Sequence, residues 1–252
     1  MMARALIQQK HGRAFGTSAF SALLGFEDMG LDIVPFDPEE LAGISREASD
    51  IVVGGVGIVR SALRALGREV PEICYPKELK PFLGRRVWRS TINTVSTCAD
   101  EWPVFVKPVQ GKLFTGRLVT SAKDLIGCGM CGEDAEVYCS DPVSLVAEWR
   151  CFVMRGQILD VRPYRGDWCV SFDPSIIESA VTAYSSAPAG YGMDFGVTEG
   201  GRTLLVEVND GYSLGSYGLE HHAYARLLSA RWAELAGVDD PCDFGPLREP
   251  LL

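Results

Sequence analysis

The sequence has few histidines, no excess of positive charge and no long apolar run. Only three of its 252 residues are histidines, and none stands in a convincing catalytic setting. Lysine and arginine number 24 against 33 acidic residues, and the resulting net charge of −9 argues against a general nucleic-acid binder. No apolar stretch approaches the ~20 residues that span a bilayer, and the first residues, MMARALIQQKHGRAFG, do not form a convincing signal peptide. We therefore expect a cytoplasmic protein with no nucleic-acid or membrane partner.

The eight cysteines are spread thinly along the chain, which favours reduced thiols over a disulfide framework. Cys128 and Cys131 form a single C-x-x-C pair. A structural zinc site needs a second pair or suitably spaced histidines, and none of the three histidines lies near this pair in the sequence. Ordinary thiols are therefore favoured over a zinc site or a redox pair.

The first part of the chain alternates between strand-like and helix-like segments. Strand patterns at 3–9 and 31–37 flank a helical pattern at 17–30, and residues 50–67 indicate a strand, a turn and a helix. Alternation of this kind predicts a small α/β module with parallel strands. The turn VGGVG at 53–57 is compatible with a phosphate cradle at a helix start, but it lacks a P-loop lysine and the G-x-G-x-x-G spacing, so a tight turn is favoured.

From Val87 onward the pattern changes to closely spaced β-like runs, which predict an α+β region with a largely antiparallel sheet. One hairpin is expected over 145–164, with its turn at Arg155-Gly156, and another over 192–210, with its turn at 199–201. A helix is expected from Pro174. A closing amphipathic helix is expected over 220–237, ended by glycine.

The second hairpin carries Asp194 on its first strand and Glu207 and Asn209 on its second. Residues two apart on a strand face the same side, and a symmetric turn would bring Asp194 close to Glu207. Two carboxylates and an amide oxygen on one face suit Mg²⁺. The alternative is that these side chains are ordinary solvent-facing polar groups.

Lysines and paired charges accompany this hairpin. Lys107 ends an apolar strand, and Lys112 follows in a loop bounded by glycines, an arrangement suited to phosphate oxygens or to a solvated turn. The pairs Glu148–Arg150 and Asp160–Arg162 repeat the same spacing on the two strands of the first hairpin. They fit either a charged cleft or a surface salt-bridge ladder.

The order of these signals resembles the ATP-grasp superfamily of ATP-dependent ligases, and within it a clade marked by an arginine and two lysines in phage and bacterial gene clusters. The segments VFVKPVQGK, VAEWRCFV, YGMDFGVTEGGRTLLVEVNDGYSLG and YGL carry the match, over roughly residues 80–230. The resemblance implies a small α/β domain at 1–85 followed by an ATP-grasp domain at 86–252. In that domain two antiparallel-sheet subdomains enclose ATP, and ATP and Mg²⁺ are the expected cofactors.

The resemblance also implies roles for individual residues. Lys107 is expected at the α-phosphate and Lys112 on the loop that closes over the β- and γ-phosphates. The strand Glu136–Ser140, which includes Tyr138 and Cys139, is expected to read adenine through its backbone groups. Asp160 is expected to contact the nucleotide as well. One further basic contact is expected, and Arg86 is chosen for it from Lys77, Lys80, Arg85, Arg86 and Arg89. Asp194, Glu207 and Asn209 are expected to hold Mg²⁺. Arg150 and Arg162, with Glu148 as a polar partner, are expected at the γ-phosphate or acyl phosphate.

The chemistry that the resemblance implies is ADP-forming ligation of a carboxylate to an amine through an acyl phosphate. The substrates would be small molecules or peptides: an amino acid, a peptide or a protein terminus. Two alternatives stay open. One is an ATP-grasp kinase that phosphorylates a small molecule and stops there, and the other is a nucleotide-binding module without catalysis.

Overall fold

The computed structural model describes residues 3–109, 113–129 and 134–245, which form three four-stranded sheets with flanking helices. In the N-terminal sheet, β1 pairs in parallel with both β3 and β4, as the alternating pattern predicts, and antiparallel with the two-residue strand β2. Its elements are β1 (Arg4–Lys10), β2 (Arg13–Ala14), α1 (Gly16–Asp28), β3 (Asp32–Phe36), β4 (Ile51–Val53) and α2 (Val56–Ala65).

The VGGVG segment is the tight turn between β4 and α2. The backbone N–H of Gly55 donates to the side-chain oxygen of Gln8 at 2.8 Å. A Cβ on Gly54 would lie 2.6 Å from the same Gln8 oxygen, so a larger residue there would displace the Gln8 side chain from this hydrogen bond. The amide at the start of this helix therefore has a protein partner.

The second sheet is antiparallel and has the strand order β5-β8-β6-β7. Its elements are β5 (Val87–Thr91), α3 (Ile92–Thr97), β6 (Val104–Pro108), β7 (Arg117–Val119) and β8 (Glu136–Ser140). Alternate residues on these strands face opposite sides. One side packs into a core with α3 that contains Val106, Val137 and Cys139, and the other side is left for polar residues.

The third sheet is also antiparallel, with the order β10-β9-β11-β12, and both predicted hairpins are present. Its elements are β9 (Leu145–Met154), β10 (Gln157–Gly166), α4 (Pro174–Ala183), β11 (Gly190–Thr198), β12 (Thr203–Asp210) and α5 (His221–Ala236). One face of this sheet packs on α4 and the 3₁₀ helix Lys77–Phe82 through a core that includes Leu79, Ile177 and Phe195. The opposite face carries the charged side chains.

The prediction that the closing helix is amphipathic is wrong. Helix α5 ends at Gly237, which adopts the left-handed conformation (φ 72°) as expected of a helix-terminating glycine, but nearly all of its residues are buried. Three of its polar side chains, those of Arg226, Ser229 and Arg231, are buried with partners: Arg231 forms a two-point ion pair with Asp210, Ser229 contacts Asp240, and Arg226 donates to the carbonyl of Cys242. Internal pairing therefore replaces the solvent-facing side that an amphipathic pattern implies.

Helix α5 also packs on α1 and shares the largest core with the N-terminal sheet. This core contains residues from both sides of the domain boundary predicted at residue 85. The boundary itself stays a prediction. No helix among the described residues combines the length and apolar character that a membrane crossing requires.

Candidate active site

Four charged side chains form a row across the whole third sheet. Arg162 on β10 pairs in register with Arg150 on β9, Arg150 pairs with Asp194 on β11, and Asp194 pairs with Glu207 on β12. Directly opposed residues on neighbouring strands point to the same face. The sheet therefore presents two arginines and two carboxylates in one line, on the face opposite its apolar core.

Asp194 and Arg150 form a buried two-point ion pair. Nε and Nη2 of Arg150 each donate to one carboxylate oxygen of Asp194 at 2.7 Å, and both residues are at least nine-tenths buried. Burial raises the pKa of Asp194 above its ordinary value, although the guanidinium opposes this effect. Asp194 is therefore a carboxylate that depends on an adjacent cation for its charge.

Asn209 joins the two carboxylates. Its side-chain nitrogen donates to Asp194 at 3.0 Å and to Glu207 at 3.2 Å. The proximity that the hairpin predicts for Asp194 and Glu207 is thus confirmed by register and by this bridging amide. The three predicted metal ligands lie together at one point of the sheet.

Lys107 reaches this point from the second sheet. Its ammonium group donates to the carboxylate of Glu207 and to the Sγ of Cys74, the latter at 2.7 Å. Burial tends to raise the pKa of Glu207, but Lys107 and Asn209 outweigh it and hold the pKa below its ordinary value. Burial raises the pKa of the Cys74 thiol to about 11, so this thiol is neutral at pH 7. Nothing in the sequence around Cys74 predicts this placement.

Arg89, Tyr138 and Lys107 stand in one register row across β5, β8 and β6. The Arg89 guanidinium lies 5.2 Å from the Tyr138 ring centroid, and the Lys107 Nζ lies 5.8 Å from it. Arg86, in contrast, precedes β5 and forms an exposed ion pair with Asp141. Of the basic residues weighed from the sequence, Arg89 rather than Arg86 shares a sheet face with Lys107.

A cavity of about 600 Å³ lies beside the carboxylates, between the third sheet and the N-terminal module. It is lined by Arg150 and Asn209 on one side and by Arg60 of α2 on the other. The Nε of Arg60 donates to the hydroxyl of Tyr212 at 2.8 Å. Tyr217 also lines the cavity and holds its ring over Arg150, at 4.9 Å, with a left-handed backbone (φ 43°) that is uncommon for a tyrosine.

A second cavity of about 340 Å³ opens where the chain crosses from β8 to β9. Apolar side chains from both sheets line it together with the crossing segment: Phe105, Leu118, Leu204, Val206 and residues 140–145. Glu148 borders it and accepts hydrogen bonds from Tyr164 at 2.8 Å and Arg165 at 2.6 Å. A cleft that is apolar on both walls and bordered by backbone groups suits a flat heterocycle.

Other predicted contacts are more dispersed. Cys139 points into the core on the back of the second sheet, which leaves only its backbone for a ligand. Glu136 begins β8, at the opposite end from the crossing segment, and lines a separate cavity with arginines of α2. Asp160 pairs with Arg162 at 2.6 Å. The Nε of Arg162 is buried and has no hydrogen-bond partner among the described residues. Lys112 lies outside the described residues.

The donor set fits the implied cofactors. Asp194, Glu207 and Asn209 offer oxygens only, the ligands that Mg²⁺ prefers, and the two carboxylates already attract cations in the form of Arg150 and Lys107. The Nε of Arg162 is a further buried donor without a hydrogen-bond partner among the described residues. These residues would hold a metal-bound polyphosphate between the two sheets.

Comparisons with known proteins agree with this geometry. Residues 82–227 match the model of the ATP-grasp domain of the clade named for one arginine and two lysines, family 2. No curated protein matches the chain by sequence. Among solved structures, the D-alanine–D-alanine ligase from Bacillus anthracis complexed with ATP has a TM-score of 0.54 at 13% identity, over 94% of this chain and 99% of the ligase.

Two peptide-bound structures are also similar. The macrocyclase MdnC from Microcystis aeruginosa MRC, bound with precursor peptide MdnA, has a TM-score of 0.52 at 13% identity, over 90% of this chain and 99% of the macrocyclase. The ATP-grasp ligase PsnB complexed with minimal precursor has a TM-score of 0.52 at 16% identity, over 93% and 100%. At these identities the similarity concerns the fold.

Proposed function

Because the chain belongs to family 2 of the arginine-and-two-lysine clade of ATP-grasp domains, we propose that it is an ADP-forming ligase that joins a carboxylate to an amine. The observation that carries the proposal is the cluster of Asp194, Glu207 and Asn209 on one sheet, contacted by Lys107 from the other. An oxygen-donor triad with an opposing lysine is suited to a metal-bound nucleotide, because it provides ligands for the metal and a cation for phosphate oxygens.

Each residue then has a role that follows from its contacts. Asp194 and Glu207 would hold Mg²⁺, with Asn209 presenting its side-chain oxygen after rotation of the amide. Lys107 would exchange the Glu207 carboxylate for a phosphate oxygen, and Arg89 would add positive charge from the same face. The cavity of about 340 Å³ would receive adenine, and Glu148 at its border would accept hydrogen bonds from the nucleotide. Lys112 stays a predicted phosphate contact.

When bound, ATP would supply the phosphoryl group, and Mg²⁺ held by Asp194, Glu207 and Asn209 would neutralise its charge. The protein would contribute position: a carboxylate substrate bound in the cavity of about 600 Å³ would lie beside Arg150 and Arg60, which line it, and guanidinium groups are suited to carboxylate oxygens. Charge that develops on the acyl phosphate is balanced by the arginine end of the row, formed by Arg150 and Arg162. No histidine or cysteine nucleophile is required.

A peptide is the substrate class that we propose to test first. The larger cavity is partly open to solvent, so a carboxylate on a long chain can enter it while the rest of the chain stays outside. The precursor-peptide complexes of MdnC and PsnB, which share the fold, make this class worth testing.

The test is ADP release against a panel of amino acids and peptides, with products weighed by mass spectrometry. A ligase releases ADP only when acid and amine are both present, and its product has the mass of the two substrates minus water. A phosphorylated product that accumulates without an amine identifies a kinase instead. ATP binding without turnover across the whole panel identifies a non-catalytic module.

A further inference from the structure

Two of the three histidines meet a carboxylate where helices α1 and α5 adjoin. Asp28 is the last residue of α1, and His221 and His222 are the first two residues of α5. The Nε2 atoms of His221 and His222 lie 3.1 Å and 3.5 Å from the same oxygen of Asp28. One ligand atom from each of the three side chains lies within 4.8 Å of the others. The proposed nucleotide site uses none of these residues.

The spacing suits a tetrahedral metal ion. Zinc binds histidine nitrogen and carboxylate oxygen at about 2.0–2.2 Å, so two ligand atoms of one tetrahedral ion are about 3.3–3.5 Å apart. The two distances from Asp28, 3.1 Å and 3.5 Å, lie close to this value before any ion is bound. Two nitrogens and one oxygen are a borderline donor set, which favours Zn²⁺ over the oxygen-seeking Mg²⁺.

The Glu220 carboxylate lies on the other side of both imidazole rings. The nearest oxygen of its carboxylate lies 3.0 Å from Nδ1 of His221 and 3.7 Å from Nδ1 of His222. The same carboxylate caps α5 by accepting from the backbone N–H groups of His222 and Ala223, both at 3.0 Å, so its position is fixed. A carboxylate behind the ligating histidine is the usual arrangement around protein-bound zinc.

The packing of the two helices holds the cluster in place. A Cβ on Gly25 would overlap the carbonyl oxygen of His221 and would lie 2.7 Å from the Cβ of Ala225. The absence of a side chain at Gly25 thus lets α1 approach the first turn of α5. The ligand side chains themselves are accessible, with 38%, 45% and 54% of the His221, His222 and Asp28 side chains exposed.

We propose that Asp28, His221 and His222 form a binding site for a divalent transition metal, represented by Zn²⁺, that links the end of α1 to the start of α5. Water completes the coordination. The two helices connect the N-terminal module to the third sheet, so the bound ion fastens these parts together. The site does not depend on the proposed ligase activity.

The direct test is a Zn²⁺ titration of the full chain followed by NMR of the imidazole signals. The chain has only three histidines, and His11 lies in the turn between β1 and β2, so it serves as an internal control. We expect saturable shifts of the His221 and His222 signals at one equivalent, an unchanged His11 signal, and a rise in Tm with Zn²⁺. Equal shifts of all three histidines, or no saturable shift, would overturn the proposal.

Variants separate this site from zinc binding at the cysteines. Asp28→Asn and His222→Asn should abolish the histidine shifts and the zinc-dependent rise in Tm, whereas His11→Asn should retain both. Glu220→Gln, which keeps a capping oxygen, should bind zinc about 10–100-fold more weakly. Circular dichroism without metal verifies that each variant folds. Unchanged zinc affinity in Asp28→Asn and His222→Asn would contradict the assignment.

Discussion

Lys107 on the second sheet contacts the carboxylate of Glu207 on the third, so that the proposed phosphate-binding lysine and a metal-ligand candidate neutralise one another. Their side chains are 16% and 26% exposed. A mostly buried cation and carboxylate are costly when unpaired. The contact therefore keeps the cleft charge-balanced until a metal-bound phosphate supplies new partners for both groups.

Removal of Lys107 should lower the catalytic rate far more than it lowers the stability of the fold without nucleotide. We expect Lys107→Ala to lower kcat about 10²–10³-fold, the usual cost of losing one charge-stabilising donor. The matched control is Lys123→Ala, which removes an exposed lysine in the 3₁₀ helix Ala122–Leu125 that follows β7 of the same sheet. Steady-state ADP release measures both variants. Equal activity of the two would show that Lys107 has no part in the reaction.

The same pair predicts a pH-dependent difference in stability. Lys107 helps to hold the pKa of Glu207 below its ordinary value of 4.5, so the stabilisation is present above pH 4.5 and is lost as the pH falls through the folded-state pKa. Lys107→Met should therefore cost about 1–3 kcal/mol at pH 7, and progressively less as the pH falls below 4.5. Urea unfolding without ATP and magnesium measures this. A difference that grows toward low pH would refute it.

Arg231 of α5 and Asp210 at the end of β12 form a buried ion pair. Removing only one of the two partners should lower the stability of the fold more than removing both. Nε and Nη2 of Arg231 donate to the two oxygens of Asp210 at 2.7 Å and 2.6 Å, and their side chains are only 4% and 11% exposed. Arg231→Met should destabilise the fold by about 3–5 kcal/mol because it leaves a buried carboxylate unpaired.

The double variant Arg231→Met with Asp210→Asn should recover part of this loss, since no unpaired charge remains. Chemical unfolding of the two single variants and the double variant completes the cycle. Additive losses would mean that the two side chains do not interact.

Two glycines within helices should respond to alanine in opposite directions. Gly57 in α2 has open space where a Cβ would stand, so Gly57→Ala should stabilise by about 0.5–1 kcal/mol. Gly25 in α1 meets the backbone of His221, so Gly25→Ala should destabilise by about 1–3 kcal/mol despite its better helix propensity. The change in Tm of each variant decides the matter, and a stabilised Gly25→Ala would disprove the close contact.

The predictable parts of the fold are those that local pattern controls. The two-residue period of strands places Glu207 and Asn209 on one face, which the sequence predicts. Their alignment with Asp194 depends on a β-bulge: the register from the turn pairs Phe195 with Leu205 and would pair Asp194 with Val206, and the bulge shifts the partner of Asp194 to Glu207. The parallel N-terminal strands follow equally from alternation. The ATP-grasp assignment rests on the order of such local signals along the chain.

The remaining features depend on contacts between distant segments. Arg89 could not be chosen over Arg86 because only the pairing of β5 with β8 decides which side chain shares a face with Lys107. Cys74 enters the site from a segment that carries no motif. Helix α5 looks amphipathic because Arg226 and Arg231 are charged, and only the tertiary structure supplies the carbonyl and carboxylate partners that bury them.

If Asp194, Glu207 and Asn209 hold Mg²⁺, the binding of ATP must depend on magnesium and on these side chains. Calorimetry with and without Mg²⁺ should be compared for the wild type, Glu207→Gln and Glu199→Gln, the last being an exposed glutamate on the turn of the same hairpin. Mg²⁺ should tighten ATP binding in the wild type and in Glu199→Gln, and Glu207→Gln should lose most of this gain. An undiminished magnesium effect in Glu207→Gln would contradict the proposed magnesium site.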